Sequence, residues 1–127
     1  MQNAIVVALT LTIGCCATAL AQTSPAGNWS ASYTDASGNP RDADIVIAGD
    51  KGTLRIFAQG KAAARNPCLA RDLPVAVQSA GDDLTLVVSA SQAMRGCEDF
   101  TAMLKRVDDN SFDGTIADSR KIHITRK

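Results

Sequence analysis

His123 is the one histidine in a chain of 127 residues, so it is the first place to look for proton transfer near neutral pH. Ile122 and Ile124 flank it, with Lys121 and Thr125 beyond. That alternation predicts a strand whose isoleucines face a core and whose histidine faces water. A general base works only beside a nucleophile or acid within hydrogen-bond reach, and the sequence around His123 marks no such partner. Gly-x-Ser-x-Gly, His-Glu-x-x-His and phosphate-loop patterns do not occur. Glu98 and Asp99, read as neighbours on one strand, point to opposite faces and cannot act together on one substrate. Asp42 and Asp44 do share a face, as a glycosidase would require. They sit where a strand begins, however, and a solvated edge accounts for them. Asp108, Asp109, Asn110 and Asp113 miss the spacing of a calcium loop. Asn28-Trp29-Ser30 matches a glycosylation acceptor, a pattern short enough to arise by chance. The expectation is no enzyme: no catalytic residue, no metal ligand and no cofactor.

The other chemistry is cationic. Lys61, Arg65 and Arg71 fall within eleven residues, together with Asn66 and Cys68. Loops pinned on a rigid scaffold are where binding surfaces usually sit. Lys61, Arg65, Asn66 and Arg71 are therefore the expected binding residues. Their charge would steer an acidic partner and make its association salt-dependent.

The elements that must hold these residues are strands. Period-two alternation recurs in eight runs, around Trp29–Tyr33, Ala43–Ile47, Thr53–Phe57, Leu73–Val77, 82–89, Phe100–Lys105, Phe112–Ile116 and Lys121–Thr125. Turn clusters separate most of them: Ser37-Gly38-Asn39-Pro40, Gly49-Asp50-Lys51-Gly52, Ala80-Gly81-Asp82-Asp83, Asp108-Asp109-Asn110 and Asp118-Ser119. Tight links mean hairpins and antiparallel pairing. The expected fold is all-β: an antiparallel eight-stranded up-and-down barrel or a sandwich. Two links are longer, 58–71 and 90–97, and each holds one cysteine. Lys61–Arg65 has room for one helical turn before Pro67 stops it; no other helix is expected.

The first 21 residues are set apart from that domain. An uncharged apolar run ends in Ala19-Leu20-Ala21, which reads as a secretory signal peptide over 1–21 and leaves a single domain over 22–127. Thr12-Ile13-Gly14-Cys15 resembles a lipobox with Thr where Leu is usual, which would make Cys15 a lipidation site. The mature chain keeps all 13 basic and 13 acidic residues and is formally neutral. Neutrality removes the basic excess of a nucleic-acid binder and the polybasic tail of a membrane-surface protein. No transmembrane segment is expected in the mature chain. Cys68 and Cys97 remain as an even pair in an exported chain, so a disulfide between the long links is expected, with free thiols as the alternative.

Gly27-Asn28-Trp29 at the start of the first strand, with Arg120 and Arg126 bracketing the last, resembles the calycin pattern shared by lipocalins, avidins and bacterial inhibitors of secreted metalloproteases. The resemblance implies a barrel whose first-strand tryptophan packs under a basic side chain of the last strand. Trp29 would then meet Arg126 or Arg120. Size, export signal and single disulfide are most similar to the metalloprotease inhibitors, in which a segment before the first strand, here Gln22–Ala26, enters the protease cleft. The functional expectation is a periplasmic or secreted, non-enzymatic binding protein. It would recognise a macromolecular partner, a protein of the envelope or medium, in an inhibitor-like manner. The alternatives are a small-molecule carrier using the barrel interior and a structural envelope protein. An eight-stranded barrel is narrow enough for its own side chains to fill, here Trp29, Tyr33, Ile45, Leu54, Val75, Leu84, Phe100, Phe112 and Ile122 among others, and that favours the protein partner.

Overall fold

The computed structural model describes residues 24–117 and 119–127, together with Gly14. Apart from Gly14, the expected signal peptide, Cys15 included, lies outside the described residues, as does Asp118. Each alternating run folds as a strand: β1 (Gly27–Thr34), β2 (Pro40–Ala48), β3 (Lys51–Ile56), β4 (Asp72–Ala80), β5 (Asp83–Val88), β6 (Phe100–Asp108), β7 (Ser111–Ile116) and β8 (Lys121–Arg126). Every strand pairs antiparallel with its chain neighbours, and β1 also pairs with β8, so the sheet closes into a barrel. The sandwich alternative is thereby removed. Closure leaves no exposed sheet edge to template aggregation.

Hairpin connections put the base and the mouth of the barrel at opposite ends. The turns at 49–50, 81–82 and 109–110 lie at the base, with the start of β1 and the end of β8. The turn at 35–39 and the links 57–71 and 89–99 lie at the mouth, with the 117–120 connection. Both long links are therefore gathered at one end. Each long link holds a short helix, α1 (Gly60–Ala64) and α2 (Ala90–Ala93). The first is the expected single turn. The second was not expected, since Ala90–Ala93 carries no periodic apolar stripe. Glu98 and Asp99 also differ from expectation: they precede β6 rather than lying on a strand. Asp99 accepts hydrogen bonds from the Ser91 N–H at 2.8 Å and from Ser91 Oγ at 3.0 Å. That capping work takes it out of the ladder.

Inward side chains fill the barrel. Trp29, Phe112, Ile45, Leu54, Leu73, Leu84, Leu86, Ile124 and Val88 are fully buried. The links add Ala63, Leu69, Ala90 and Cys97 as a plug over the mouth. Fully burying one large apolar side chain contributes roughly 1.5–3 kcal/mol, so this interior is the main source of stability.

The base is closed by stacked rings and cations. Trp29 and Phe112 meet edge-to-face, with ring centroids 5.4 Å apart. The Arg126 guanidinium lies 4.3 Å over the indole, and that of Arg106 lies 4.7 Å over the Phe112 ring. Register dictates the choice of Arg126, which sits directly opposite Trp29 on β8. Arg126 also donates to the carbonyls of Ala26 at 2.7 Å and Ser24 at 3.1 Å, while the indole N–H donates to Pro25 O at 2.8 Å. Gly27 makes room for this. Its φ is 128°, and a Cβ there would lie 3.0 Å from Arg126 Nη1. Arg120 lies at the other end, where its Nη1 donates to Thr34 O at 3.1 Å. No helix among the described residues is long and apolar enough to cross a membrane.

Candidate functional site

The mouth carries the candidate binding residues. A disulfide joins Cys68 to Cys97, with Cα atoms 5.7 Å apart, and ties link 57–71 to link 89–99. Lys61 on α1, Arg65 just after it and Arg71 just before β4 are all exposed. Lys61 and Arg65 make no ion pair or hydrogen bond with a described residue, and Arg71 Nε donates only to Pro67 O, at 3.1 Å. Asn66 has a different role. Its Oδ1 accepts from the Cys68 N–H at 3.0 Å, and its own N–H donates to Ala63 O at 3.0 Å. It shapes the turn that presents the cysteine.

Sequence reasoning missed Arg95. It is exposed and, like Lys61 and Arg65, meets no carboxylate among the described residues. It lies two positions before Cys97, so its Cα is within about 7 Å of that cysteine's, at ~3.6 Å of reach per residue. By the same reach, Arg65 and Arg71 lie within about 11 Å of Cys68. The signal was the bridge itself: once Cys68 and Cys97 are paired, cations on both links belong to one surface. Elsewhere on the barrel several cations are paired, although Lys51 and Lys121 on the wall are exposed and meet no carboxylate among the described residues. Arg41 pairs with Asp35 at 2.9 Å, Arg55 with Asp72 at 2.8 Å, Lys105 with Asp83 at 3.2 Å and Lys127 with Asp44 at 2.5 Å. The last pair also accounts for Asp44, while Asp42 accepts from Gln59 Nε2 at 3.1 Å; the two carboxylates hold neighbouring elements in place.

Beside the cationic links the mouth is hollow. Tyr33, Phe100 and Ile116 form an apolar floor, with Glu98, Arg120 and Asp35 on the rim, around a cavity of about 240 Å³. Burial pushes the Tyr33 hydroxyl up to about 12, against the opposing pull of the Arg41 and Arg120 charges. It stays protonated, and able to donate, at any physiological pH. The Asn39 backbone N–H, more than any other contact, holds the Asp35 carboxyl below its usual range, so the Asp35–Arg41 pair is ionised at neutral pH.

His123 lies on the outer wall. It faces outward from β8, and its Nδ1 bonds Asp113 Oδ1 on β7. The partner that the sequence did not mark is thus ten residues away, placed by register. Ser32 of β1 occupies the position opposite His123 on the other side, so serine, histidine and aspartate fall in one cross-strand row. They line an open groove of about 760 Å³ with Thr115 and Lys121. The order matches a nucleophile, a base and its orienting acid. Two features set the row apart from an assembled triad. No hydrogen bond joins Ser32 to His123, and the N–H groups of a wall paired on both sides are committed to ladders, so none converge as oxyanion donors. Among the described residues, no three His, Cys, Asp or Glu side chains converge to hold a metal ion. Asp108 turns back on its own backbone, accepting from the Asn110 N–H at 2.8 Å.

No protein-family model matches the chain, and no curated protein does. Among solved structures, a redesigned beta barrel is similar, with 14% identical residues, 80% of this chain and 90% of that one covered, and a TM-score of 0.45.

Proposed function

We propose that this protein is an exported, non-enzymatic binding protein that recognises an acidic stretch of a protein partner through the disulfide-tied links at the barrel mouth. One observation carries the reading. Lys61, Arg65, Arg71 and Arg95 stand exposed on the two links that the disulfide joins, four cations on one tied surface with no carboxylate partner among the described residues. Tethering lowers the ordering entropy that a loop loses on binding. Export is supported by the signal-like segment 1–21 and by the disulfide, since such bonds persist in oxidising compartments. The periplasm or the medium is the compartment this reading implies.

The calycin resemblance is supported by Arg126 on Trp29, the contact it implied at the base. The inhibitor-like version would use residues before β1. Arg126 and Trp29 hold the carbonyls of Ser24, Pro25 and Ala26 against the base, at the far end from the cationic links. The two modes therefore present opposite ends of the barrel to a partner. Carriage of a small molecule in the barrel interior is disfavoured because Trp29, Phe112 and the aliphatic side chains already occupy it. A structural envelope role needs neither end.

The test is capture from envelope and medium with the mature domain as bait, repeated with Arg65→Ala/Arg71→Ala and with residues 22–26 deleted. Loss of the partner with the double variant alone supports the mouth. Loss with the deletion alone transfers the function to the base.

A further inference from the structure

The outer wall carries a track with a chemistry unlike that of the mouth. The groove of about 760 Å³ around Ser32, Asp113 and His123 spans β6, β7, β8 and β1. A second groove of about 310 Å³ shares Ser32 and His123 with it and continues across β1 and β2 to Phe57. Register makes the two continuous. Asp42, Ser32, His123, Asp113 and Lys105 stand opposite one another on successive strands, and all five are exposed. From β2 to β6 the row crosses four strand spacings, a length of roughly 19 Å. Phe57 closes one end. Its ring is 39% exposed and stands outside the core, while its backbone N–H is anchored to Asp42 O at 2.9 Å. His123 gives Nδ1 to Asp113, which leaves its Nε2 for a ligand.

The lining decides what such a track accepts. Hydroxyls of Ser30, Ser32, Thr115 and Thr125 run along it, and each can both donate and accept. Among its charged groups, Asp42 and Asp113 are balanced by Lys105 and Lys121, so with His123 neutral the formal charge is zero. A polyanion would meet the carboxylates and a polycation the ammonium groups, each a like-charge penalty. A peptide that joins a sheet needs an open strand edge, and the closed barrel has none. A neutral chain with hydroxyls along its length and an apolar face for an exposed ring fits all of these features. We propose that this track binds a neutral oligosaccharide laid across the strands. One sugar ring stacks on Phe57, and the hydroxyls of the chain bond Asp42, Ser32, His123 and Asp113. This goes beyond the protein-binding reading and does not depend on it, because the track uses none of Lys61, Arg65, Arg71 or Arg95.

Three neutral hexasaccharides, maltohexaose, cellohexaose and N-acetylchitohexaose, are titrated into the isotope-labelled protein. Hexagalacturonate serves as the anionic control and deacetylated chitohexaose as the cationic one. At least one neutral hexamer is expected to bind with a dissociation constant of about 1 mM or below, moving the amides of Ser32, Phe57, Asp113 and His123. Which of the three binds identifies the kind of glycan. Both charged hexamers should bind about tenfold more weakly than that neutral one. Phe57→Ala removes the stacking ring and should weaken the neutral hexamer about tenfold. Ser32→Gln, at an exposed position whose hydroxyl bonds no described residue, fills the track between its two halves and should weaken it by a similar factor. A thermal melt of each variant checks that the barrel is intact. Three neutral hexamers that move no amide, charged hexamers that bind as tightly as the neutral one, or shifts confined to other faces of the barrel would each overturn the proposal. Unchanged affinity in either folded variant would do so as well.

Discussion

Tyr33 is the only tyrosine in the chain, so its ionisation can be followed by ultraviolet absorbance without interference. Burial at the mouth raises its pKa to about 12 from an ordinary 10.0. The native protein should therefore show half-ionisation near pH 12, returning to near 10 in denaturant. A folded pKa above the unfolded one means that the contribution is fully present below pH 10 and lost as pH rises towards 12. Native titration near 10 would show that the mouth is open to water. At the base, Arg126→Ala removes a cation from the indole face and two donors from the Ala26 and Ser24 carbonyls. The loss should be about 2 kcal/mol. Arg126→Lys should fall between, since an ammonium keeps the charge but not the planar fork. Urea unfolding followed by the single tryptophan measures both, and an unchanged slope would confirm that only stability moved.

At the scale of elements, the mouth links depend on their covalent tie and the wall on close strand approach. Cys68 and Cys97 are 29 residues apart in sequence, and closing a loop of that length stabilises by roughly 3–4 kcal/mol in the chain-entropy model. Reduction should lower stability by that order while circular dichroism keeps its strand signal, because no barrel ladder runs through the bridge. Intact mass after alkylation without reductant should show no modified thiol on the mature chain; two modified thiols would overturn the pairing. On the wall, Gly114 of β7 faces inward, where a Cβ would fall 1.9 Å from Met103 O and 2.7 Å from Leu104 Cα on β6. Both contacts are backbone, so neither can swing away. Gly114→Ala should destabilise by about 3 kcal/mol or more, the upper part of the range for overpacking, and a thermal melt within a degree or two of the parent would refute the clash.

For the whole molecule, the stabilising base and the proposed recognition surface lie at opposite ends. The rings and cations that lock the barrel are at the base, whereas Lys61, Arg65, Arg71 and Arg95 are on links that carry no ladder. Replacing Arg65 and Arg71 together with Ala should therefore leave thermal stability nearly unchanged, within about 0.5 kcal/mol. It should also weaken binding of the captured partner by about tenfold and flatten its salt dependence. Unfolding and binding measured on the same variant separate the two effects. A large stability loss would mean that the links support the barrel rather than decorate it.

Much of this architecture was legible in the chain. The alternation from Trp29 to Thr125 fixes which side chains face inward, because a strand has a period of two and nothing else satisfies it. Gly and Asp clusters fixed the tight turns, because few residues tolerate their dihedrals. One cysteine in each long link was enough to expect the bridge. What lay beyond the sequence were partners across strands. Closure into a barrel, the choice of Arg126 over Arg120 for Trp29, Asp113 beside His123 and Arg95 beside the Cys68 link all follow from register and from which ends meet. The hollow between Tyr33, Phe100, Glu98 and Arg120 draws on three separate segments for the same reason. Local propensity decides each strand, but only the packing of all eight around one interior decides which residues, distant in sequence, stand together.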